Sequence, residues 1–528
     1  MATTKKRGII PRKIKGFRDI DPGLNQLRWQ VINAASKVYK SYGFEQWDTP
    51  VLEYAECLGK YMPGEGLDDG TLSDGIYSFR NYDVEPVFYE DGTVAAEGDK
   101  TIMDQYPLSL RYDLTAPLAR VYSENLWTEK LKGAVKTEKS PLVRRYQFGQ
   151  VFRYEAKLDP GRFREFWQLD FDTVGTADVT ADAEVGMILS DAMEAIGLKR
   201  GTYVVKVNNR KILKGFLKNI GIEDEASEQN ILRVIDKLDK IGLEGVEQEL
   251  GKGRTDATSG AEIAGLNLDD AIRKPIVSFF KKFADVKTRK EVLNNIGENI
   301  GENETSQEGI KELNTIDAVL TSLGYDEERI VFDPTLIRGM AYYTGPVFEV
   351  ESKQTYTDEK GRERRVGAIC GGGRYDDLVA QMLGIRVPAT GASIGVDRLC
   401  ELLMLTKQAS AKADGPVFIC MFDHTLMNEY QSMARELRAA GIPAEIYYGF
   451  QKGLNKQLSY ADQKNCPLAI LLGGDELAKG IVSVKNLKLG KEISGEVTDK
   501  AEWTKRVQTE VKREDLVSAV QHLLQNNK

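Results

Sequence analysis

The stretch GRFREFWQLDFD, residues 161–172, alternates charge with bulk. Successive side chains of a β-strand point to opposite faces of its sheet, so Phe163, Trp167, Leu169 and Phe171 would share one face. The other would carry Arg162, Arg164, Phe166, Gln168, Asp170 and Asp172. An edge strand with one side in water produces a similar pattern, but Phe166 then stands as an aromatic among polar groups. A flat ring beside donors and acceptors points instead to a ligand with a flat ring of its own.

The segment before it, RYQFGQVFRYE at 145–155, alternates in the same way, with Arg153 and Glu155 on one face and Phe148, Phe152 and Tyr154 on the other. Between the two lies AKLDPG, whose Pro160-Gly161 pair is a turn signal, so a hairpin with aligned polar faces is expected. Arg153, Glu155, Arg162, Phe166, Gln168 and Asp172 then converge on one surface, where charges withdrawn from water need countercharge. Two distant arginines sit in comparable settings: Arg338 in LIRGMAYYTGPVFEV, followed by Tyr342 and Tyr343, and Arg398 in GASIGVDRLCELL, opening an apolar helix after a glycine-flanked strand. RYDLTAP places Asp113 and Thr115 two apart, on one face if extended. CGGGRYDDL brings Gly371 to Gly373 to what reads as the entry of a helix, where backbone can approach a ligand closely. Arginines so widely separated in sequence, a stacking aromatic and no phosphate loop describe a triphosphate gripped by guanidinium forks.

The totals narrow the setting. At 528 residues the chain exceeds one core, and 41% hydrophobic with 29% charged residues fits a folded globular protein. A net charge of −8 argues against a general coating of nucleic acid and leaves room for a local groove. Cys57, Cys370, Cys400, Cys420 and Cys466 are scattered, which suits reduced thiols and a cytoplasmic location. Only His424 and His522 occur, neither at metal-ligand spacing, so zinc and histidine acid–base chemistry have little to rest on. There is no Walker loop, GxGxxG or HIGH-type motif. No apolar run reaches the roughly 18 residues a membrane helix needs, and the basic start KKRGIIPRKIKGFR reads as mature sequence.

Along the chain, Gln26 to Tyr42 reads as a helix and FEQWDTPVLEYAE as a strand interrupted by Pro50. Residues 109–175 read as antiparallel strands. Residues 208–324 are helix-patterned and charged, with GENIGENETSQEG as a polar spacer. Thr406 to Pro416 reads as a linker. Beyond it VFICM, AEIYY and LAILL alternate with helices, a compact α/β pattern. From Gly415 onward fifteen Lys/Arg meet fourteen Asp/Glu, so the acidic excess lies elsewhere.

Taken together and in order, these segments resemble the class II aminoacyl-tRNA synthetases. FEQWDTPVLE resembles their motif 1, FRYE…GRFREFWQ motif 2 and GASIGVDRL motif 3. LIRGMAYYTGPVFE and CGGGRYDDL are similar to the two signatures of the histidyl-tRNA synthetase family, and KGFRD and GGDELAKGIVSVKNL match it as well. The resemblance implies an α+β fold. A class II antiparallel sheet flanked by helices would occupy 1–207 and 325–405, interrupted by a helical insertion at 208–324. A linker at 406–416 would lead to an α/β anticodon-binding domain at 417–528. It implies histidine activation by ATP and transfer to tRNA(His), with Mg²⁺ accompanying ATP through ligands the sequence leaves unnamed, and a homodimer with motif 1 around Pro50 at its interface. Carried over, Arg153 would clamp the α-phosphate and Arg338 would be the second catalytic arginine. Glu155, Arg162, Phe166 and Arg398 would complete the ATP site. Asp113, Leu114, Thr115, Gln168, Asp172, Tyr342 and Tyr343 would hold L-histidine, with Asp113, Thr115 and Gln168 near its amino group and Asp172 and Tyr343 near its imidazole. A catalytically silent, synthetase-like histidine-sensing regulatory subunit is the alternative. Retention of Arg153, Arg338 and Arg398 and the chain beyond Gly415 speak against it.

Overall fold

The computed structural model describes residues 11–59, 75–79, 108–131, 140–155, 158, 161–255, 260–283, 286–337, 343–358, 360–409, 415–449, 453–493 and 499–526. The chain divides into two compact units, the larger of Met1–Ile20 and Leu27–Ala409 and the smaller of Asp21–Gln26 and Ser410–Lys528.

An eight-stranded sheet organises the larger unit. Its strands in chain order are β1 (Glu45–Gln46), β2 (Val143–Phe152), β3 (Glu165–Val174), β4 (Tyr203–Asn209), β5 (Ile330–Phe332), β6 (Pro346–Ser352), β7 (Ala368–Arg374) and β8 (Ala389–Gly395). In space they run β1-β2-β3-β8-β7-β6-β4-β5. The six inner strands are antiparallel, and the outer pairs β1/β2 and β4/β5 are parallel.

Helix α1 (Pro22–Ser41) covers the apolar face of β2 and β3. It starts where the sequence chemistry favours it. Pro22 occupies the first turn, whose missing N–H costs nothing there, and the Asp21 carboxylate accepts from the Leu24 amide at 2.8 Å. Leu27, Val31, Ile32, Ala35 and Tyr39 recur at helical spacing and are buried. Tyr39 meets Tyr146 and Phe171 with ring centroids 5.8 and 4.7 Å away, and Trp29 meets Trp167 edge-on at 5.9 Å. The odd-numbered residues of the opening stretch, from Trp167 onward, therefore face α1. Their even-numbered neighbours face the other way.

Several elements differ from the sequence reading. Residues 109–175 contain, besides strands, helix α2 (Thr115–Leu131). RYDLTAP forms its entrance: the Asp113 carboxylate accepts from the amides of Thr115 and Ala116 at 3.1 and 2.9 Å, an N-cap in place of an extended pair. Gly371 to Gly373 lie within β7 and do not open a helix. The supposed spacer GENIGENETSQEG is the end of one helix, Arg289–Asn299, and the beginning of another. Its polarity reflects helix ends: Asn303 accepts from the Thr305 amide at 2.9 Å and so caps the second helix.

Beyond α2 come α3 (Thr180–Ile196), α4 (Arg210–Asn219), α5 (Glu304–Ser322) and α6 (Val396–Leu405). Helix α5 packs against α3 and α4. The Asp182 carboxylate of α3 is fully buried and takes hydrogen bonds from Arg374 of β7 and Thr390 of β8, fixing that helix to the centre of the sheet.

The smaller unit holds a five-stranded sheet in the order Ala444–Ile446, Val417–Ile419, Leu468–Leu471, Ile481–Asn486, Gln508–Lys512. The first three strands are parallel and the last two antiparallel to their neighbours. Helices Met427–Ala439 and Leu454–Gln463 alternate with the strands, and Phe418, Tyr430, Leu437, Ile470, Val484 and Leu516 form the core. Among the described residues no helix is long and apolar enough to cross a membrane, and none of the five cysteines is joined in a disulfide.

Candidate active site

A cavity of about 460 Å³ opens over the face of the sheet away from α1. Register explains its floor. One cross-strand row runs Arg145, Asp172, Gly391, Gly373, Val347; the next runs Gln147, Asp170, Ser393, Gly371, Glu349; a third runs Gly149, Gln168, Gly395. Acidic and amide side chains stand on β3, and glycines beside them on β8 and β7 leave space above the sheet. Gly391 is required as such: a Cβ there would lie 2.3 Å from the Asp172 carboxylate and 2.4 Å from the Phe171 carbonyl. A Cβ on Gly373 would meet the Tyr343 ring at 2.9 Å, whereas Gly371 has open space where a side chain would be.

Of the residues singled out from sequence, Asp113, Thr115, Arg153, Glu155, Arg162, Phe166, Gln168, Asp172, Tyr343 and Arg398 all line this cavity. Leu114 does not. It is completely buried, and its carbonyl accepts from Arg145 at 2.7 Å. Arg338 and Tyr342 lie outside the described residues, as does most of the turn between β2 and β3.

The alternation reading holds from Glu165 onward, where β3 begins, and fails before it. Arg164, expected on the ligand face, is buried against the Tyr154 ring at 4.0 Å and donates to the Glu155 carbonyl at 3.0 Å. Phe163, expected on the apolar face, lines the cavity. Its ring is 3.1 Å from the Arg18 guanidinium. Gly161, with φ of +77°, turns the chain just ahead of these residues.

The cavity is electrically polarised. Arg153, Arg162 and Arg398 gather beyond the Glu165 end of β3. Arg153 is held by a bond from Nε to the Tyr112 carbonyl at 3.0 Å, with the rings of Tyr112 and Phe166 centred 4.2 and 5.3 Å from its guanidinium. Such stacking fixes the plane of the fork without using its two amino nitrogens. Arg162 reaches Glu155 at 3.5 Å, and Arg398 donates to the Ala368 carbonyl at 2.6 Å.

Towards the other end of β3 are buried carboxylates. Asp172 accepts from the Tyr375 hydroxyl and lies 3.1 Å from Arg145, itself fully buried. Burial raises the Asp172 pKa against the opposing pull of Arg145 and Tyr375. Asp170 is pushed up to about 7, again by burial, with Arg145 acting in opposition. Gln168 Oε1 and Asp170 Oδ1 are buried with no hydrogen-bond partner, a costly arrangement unless a ligand supplies one.

Asp170, Glu349, Tyr375 and Arg145 were not singled out as site residues from sequence. The first three line the cavity, and Arg145 stands behind Asp172. Asp170 was readable from its even-numbered place on β3. Arg145 required the register across a hairpin, and Tyr375 the course of the chain after β7.

A further node lies beneath the site. The Asp397 carboxylate at the start of α6, 3% exposed, accepts from Arg18 at 2.6 Å, from Arg28 of α1 at 2.9 Å and from the Trp167 amide of β3 at 2.6 Å. It ties three segments together immediately before Arg398.

Comparison with known proteins identifies the family. A model described as Histidyl-tRNA synthetase matches residues 100–399, and one described as Anticodon binding domain matches 416–523. A Histidine--tRNA ligase of a Ruegeria species is 42% identical over 99% of this chain and 98% of its own length. That of Paracoccus denitrificans is 42% identical over 99% and 100%. The solved histidyl-tRNA synthetase of a Nostoc species is 27% identical with a TM-score of 0.67, covering 98% of this chain and all of that one. A Bacillus halodurans structure described as an ATP phosphoribosyltransferase regulatory subunit/histidyl-tRNA synthetase, 21% identical with a TM-score of 0.60 over 86% of this chain and 97% of its own, shares the fold alone. With matches running end to end and through both units, the chain belongs to the histidyl-tRNA synthetase family.

Proposed function

We propose that this protein is a histidine–tRNA ligase that activates L-histidine with ATP, releasing pyrophosphate, and transfers the histidyl group to the 3′ end of tRNA(His). The observation that carries the reading is the polarity of one cavity, with arginine forks at one end and buried carboxylates at the other. ATP would lie with its adenine on Phe166, close to Glu155, and its phosphates against Arg153, Arg162 and Arg398. Histidine would lie over β3 and β8, its imidazole towards Asp172 and Tyr343 and its amino group towards Asp113, Thr115 and Gln168.

Attack of the histidine carboxylate on the α-phosphate concentrates negative charge at phosphorus. Guanidinium groups held in advance stabilise that charge without reorganising. Arg153 is suited to this role because Tyr112 and Phe166 hold it in place. Arg338 is assigned the companion role by the resemblance of LIRGMAYYTGPVFE to the family signature. Neutral imidazole offers one donor and one acceptor, and a carboxylate and phenol pair matches both. A competing amino acid without those groups would leave buried polar atoms unpaired, a discrimination of roughly 10⁴-fold or more.

Mg²⁺ would arrive with the triphosphate. It would be carried on phosphate oxygens and water. The smaller unit is assigned to the anticodon. A homodimer through the region of Pro50 is supported by exposed Val51, Leu52 and Tyr54 beside it, and a cytoplasmic site of action is part of the same proposal. Histidine-dependent exchange of pyrophosphate into ATP tests the reading. Well-folded protein that binds histidine without exchange would favour a silent histidine sensor.

A further inference from the structure

Three acidic side chains approach the amino-acid end of the cavity from β3 and the entrance of α2, and they are engaged to different degrees. Asp113 spends one oxygen capping α2, accepting from two backbone amides. Asp172 accepts from Tyr375 on one oxygen, and its other oxygen, though without a hydrogen bond, lies 3.1 Å from the Arg145 guanidinium. Asp170 is only 2% exposed, lines the cavity, and keeps Oδ1 without a hydrogen-bond partner. A buried carboxylate in that state is strongly disfavoured unless a cation or donor meets it.

Its surroundings narrow what can meet it. On its two sides in the same row stand Gln147 of β2 and Ser393 of β8, with Gly371 of β7 beyond, leaving open space where a side chain would be. The neighbours on β3 that share its face are Gln168 and Asp172, each roughly 6.5–7 Å along the strand. An amino acid laid over β3 with its imidazole at Asp172 brings its α-ammonium group back towards Asp170 and Gln168. That group is the substrate's full positive charge at neutral pH. Neutral imidazole needs only an acceptor and a donor, which Asp172 and its phenol neighbours supply.

We infer that Asp170 is a substrate-binding residue of the amino-acid subsite, its carboxylate oxygen that lacks a hydrogen bond receiving the α-ammonium group of the substrate. The inference rests on the proposed reaction and adds to it. Gln168 and Asp113 orient the ammonium group, and Asp170 neutralises it. Binding of substrate thereby completes a buried ion pair that the free protein holds half-built.

The test compares Asp170→Asn with the parent protein in histidine-dependent pyrophosphate exchange. A lost charge partner in a buried pair corresponds to a rise of about 10²-fold in KM for histidine, with KM for ATP unchanged. The α-hydroxy analogue of histidine, which has no ammonium group, is the second probe. As a competitive inhibitor it should bind the variant at least as well as the parent, so that deleting the cation and deleting the carboxylate are not additive. The melting temperature separates a ligand role from a structural one, because removing a carboxylate whose charge is disfavoured chiefly by burial should leave the free protein as stable or more so. An unchanged KM for histidine, equal weakening of histidine and its α-hydroxy analogue, or a lowered melting temperature would each overturn the assignment. Failure of the parent protein to exchange pyrophosphate would count against the proposed reaction itself, independently of Asp170.

Discussion

Replacing Asp397 with asparagine puts the node beneath the site to the test. The carboxylate holds Arg18 and Arg28 on one oxygen and the Trp167 amide on the other. Asparagine keeps the shape and one acceptor oxygen but leaves two guanidinium groups facing an amide. Breaking one side of a buried ion pair costs about 3–5 kcal/mol. Arg28, with a side chain 7% exposed, has no route to water, whereas Arg18, at 24%, can turn outward and recover part of the loss. The low end, about 3 kcal/mol, is therefore expected. It should appear as a lower denaturant midpoint for the transition of the larger unit, followed separately because a chain of two units need not unfold in one step. Function should suffer unevenly. Arg18 sits on the ring of Phe163, a wall of the cavity, and Arg398 follows Asp397 directly, so the nucleotide end loosens first. If about 1.4 kcal/mol of the loss falls on bound nucleotide, KM for ATP rises about tenfold, with a smaller change for histidine. Arg18→Ala should reproduce part of the effect and add little in the Asp397→Asn background. A stability change within about 0.5 kcal/mol, as for an ordinary surface substitution, together with an unaltered KM for ATP, would refute the reasoning.

Gly391→Ala should lower stability by about 1–3 kcal/mol, as for overpacking, and raise KM for histidine, since its Cβ would press on Asp172 and on the rigid Phe171 carbonyl; kinetics paired with thermal melting would show it. Arg338→Ala is expected to preserve histidine binding by equilibrium dialysis while lowering adenylate formation about 10²-fold or more; a drop of about tenfold or less would remove that role. Asp170 gives a pH signature. Its pKa of about 7 in the free protein is raised above the ordinary carboxylate value, so its contribution to stability is fully present at low pH and is lost as pH rises through about 7. Substrate binding needs the ionised form, so KM for histidine should fall between about pH 6 and 8 with proton release on binding. The groups acting on Asp170 are Arg145, Asp172, Ser393 and Asp113. Asp170→Asn, sharing every other titration including that of the substrate imidazole, should lose that component, and an identical pH profile in the two proteins would contradict it.

The cavity was legible in the sequence to the extent that one strand built it. Phe166, Gln168 and Asp172 follow from period-two alternation, and the sheet bears it out from Glu165 to Val174. The rule broke at Phe163 and Arg164 because alternation belongs to extended chain, and the chain there is still leaving a turn set by Gly161. Asp113 was read as an extended residue; its capping bonds depend on a helix whose first turn, TAP, carries little helical signal of its own. The glycines of β7 were taken for a helix entrance because local propensity disfavours them in strands. What places them there is tertiary: a side chain at Gly372 would strike the Gly391 carbonyl at 2.3 Å on the neighbouring strand. The pairings of Arg145 with Asp172 and of Asp397 with Arg18 join segments whose meeting no local pattern announces.

Phe166, Gln168, Asp170 and Asp172 occupy alternate positions of a single strand, so under the proposed function both substrates would be gauged against one rigid ruler with graduations roughly 6.5–7 Å apart. Slipping that strand by one residue would present Trp167, Leu169 and Phe171 to the substrates and drive the acids into the face of α1. Changes in chain length are consequently not tolerable between Glu165 and Asp172. Preference for nucleotide and preference for amino acid therefore cannot be tuned by sliding one against the other, and must evolve by exchanging side chains in place.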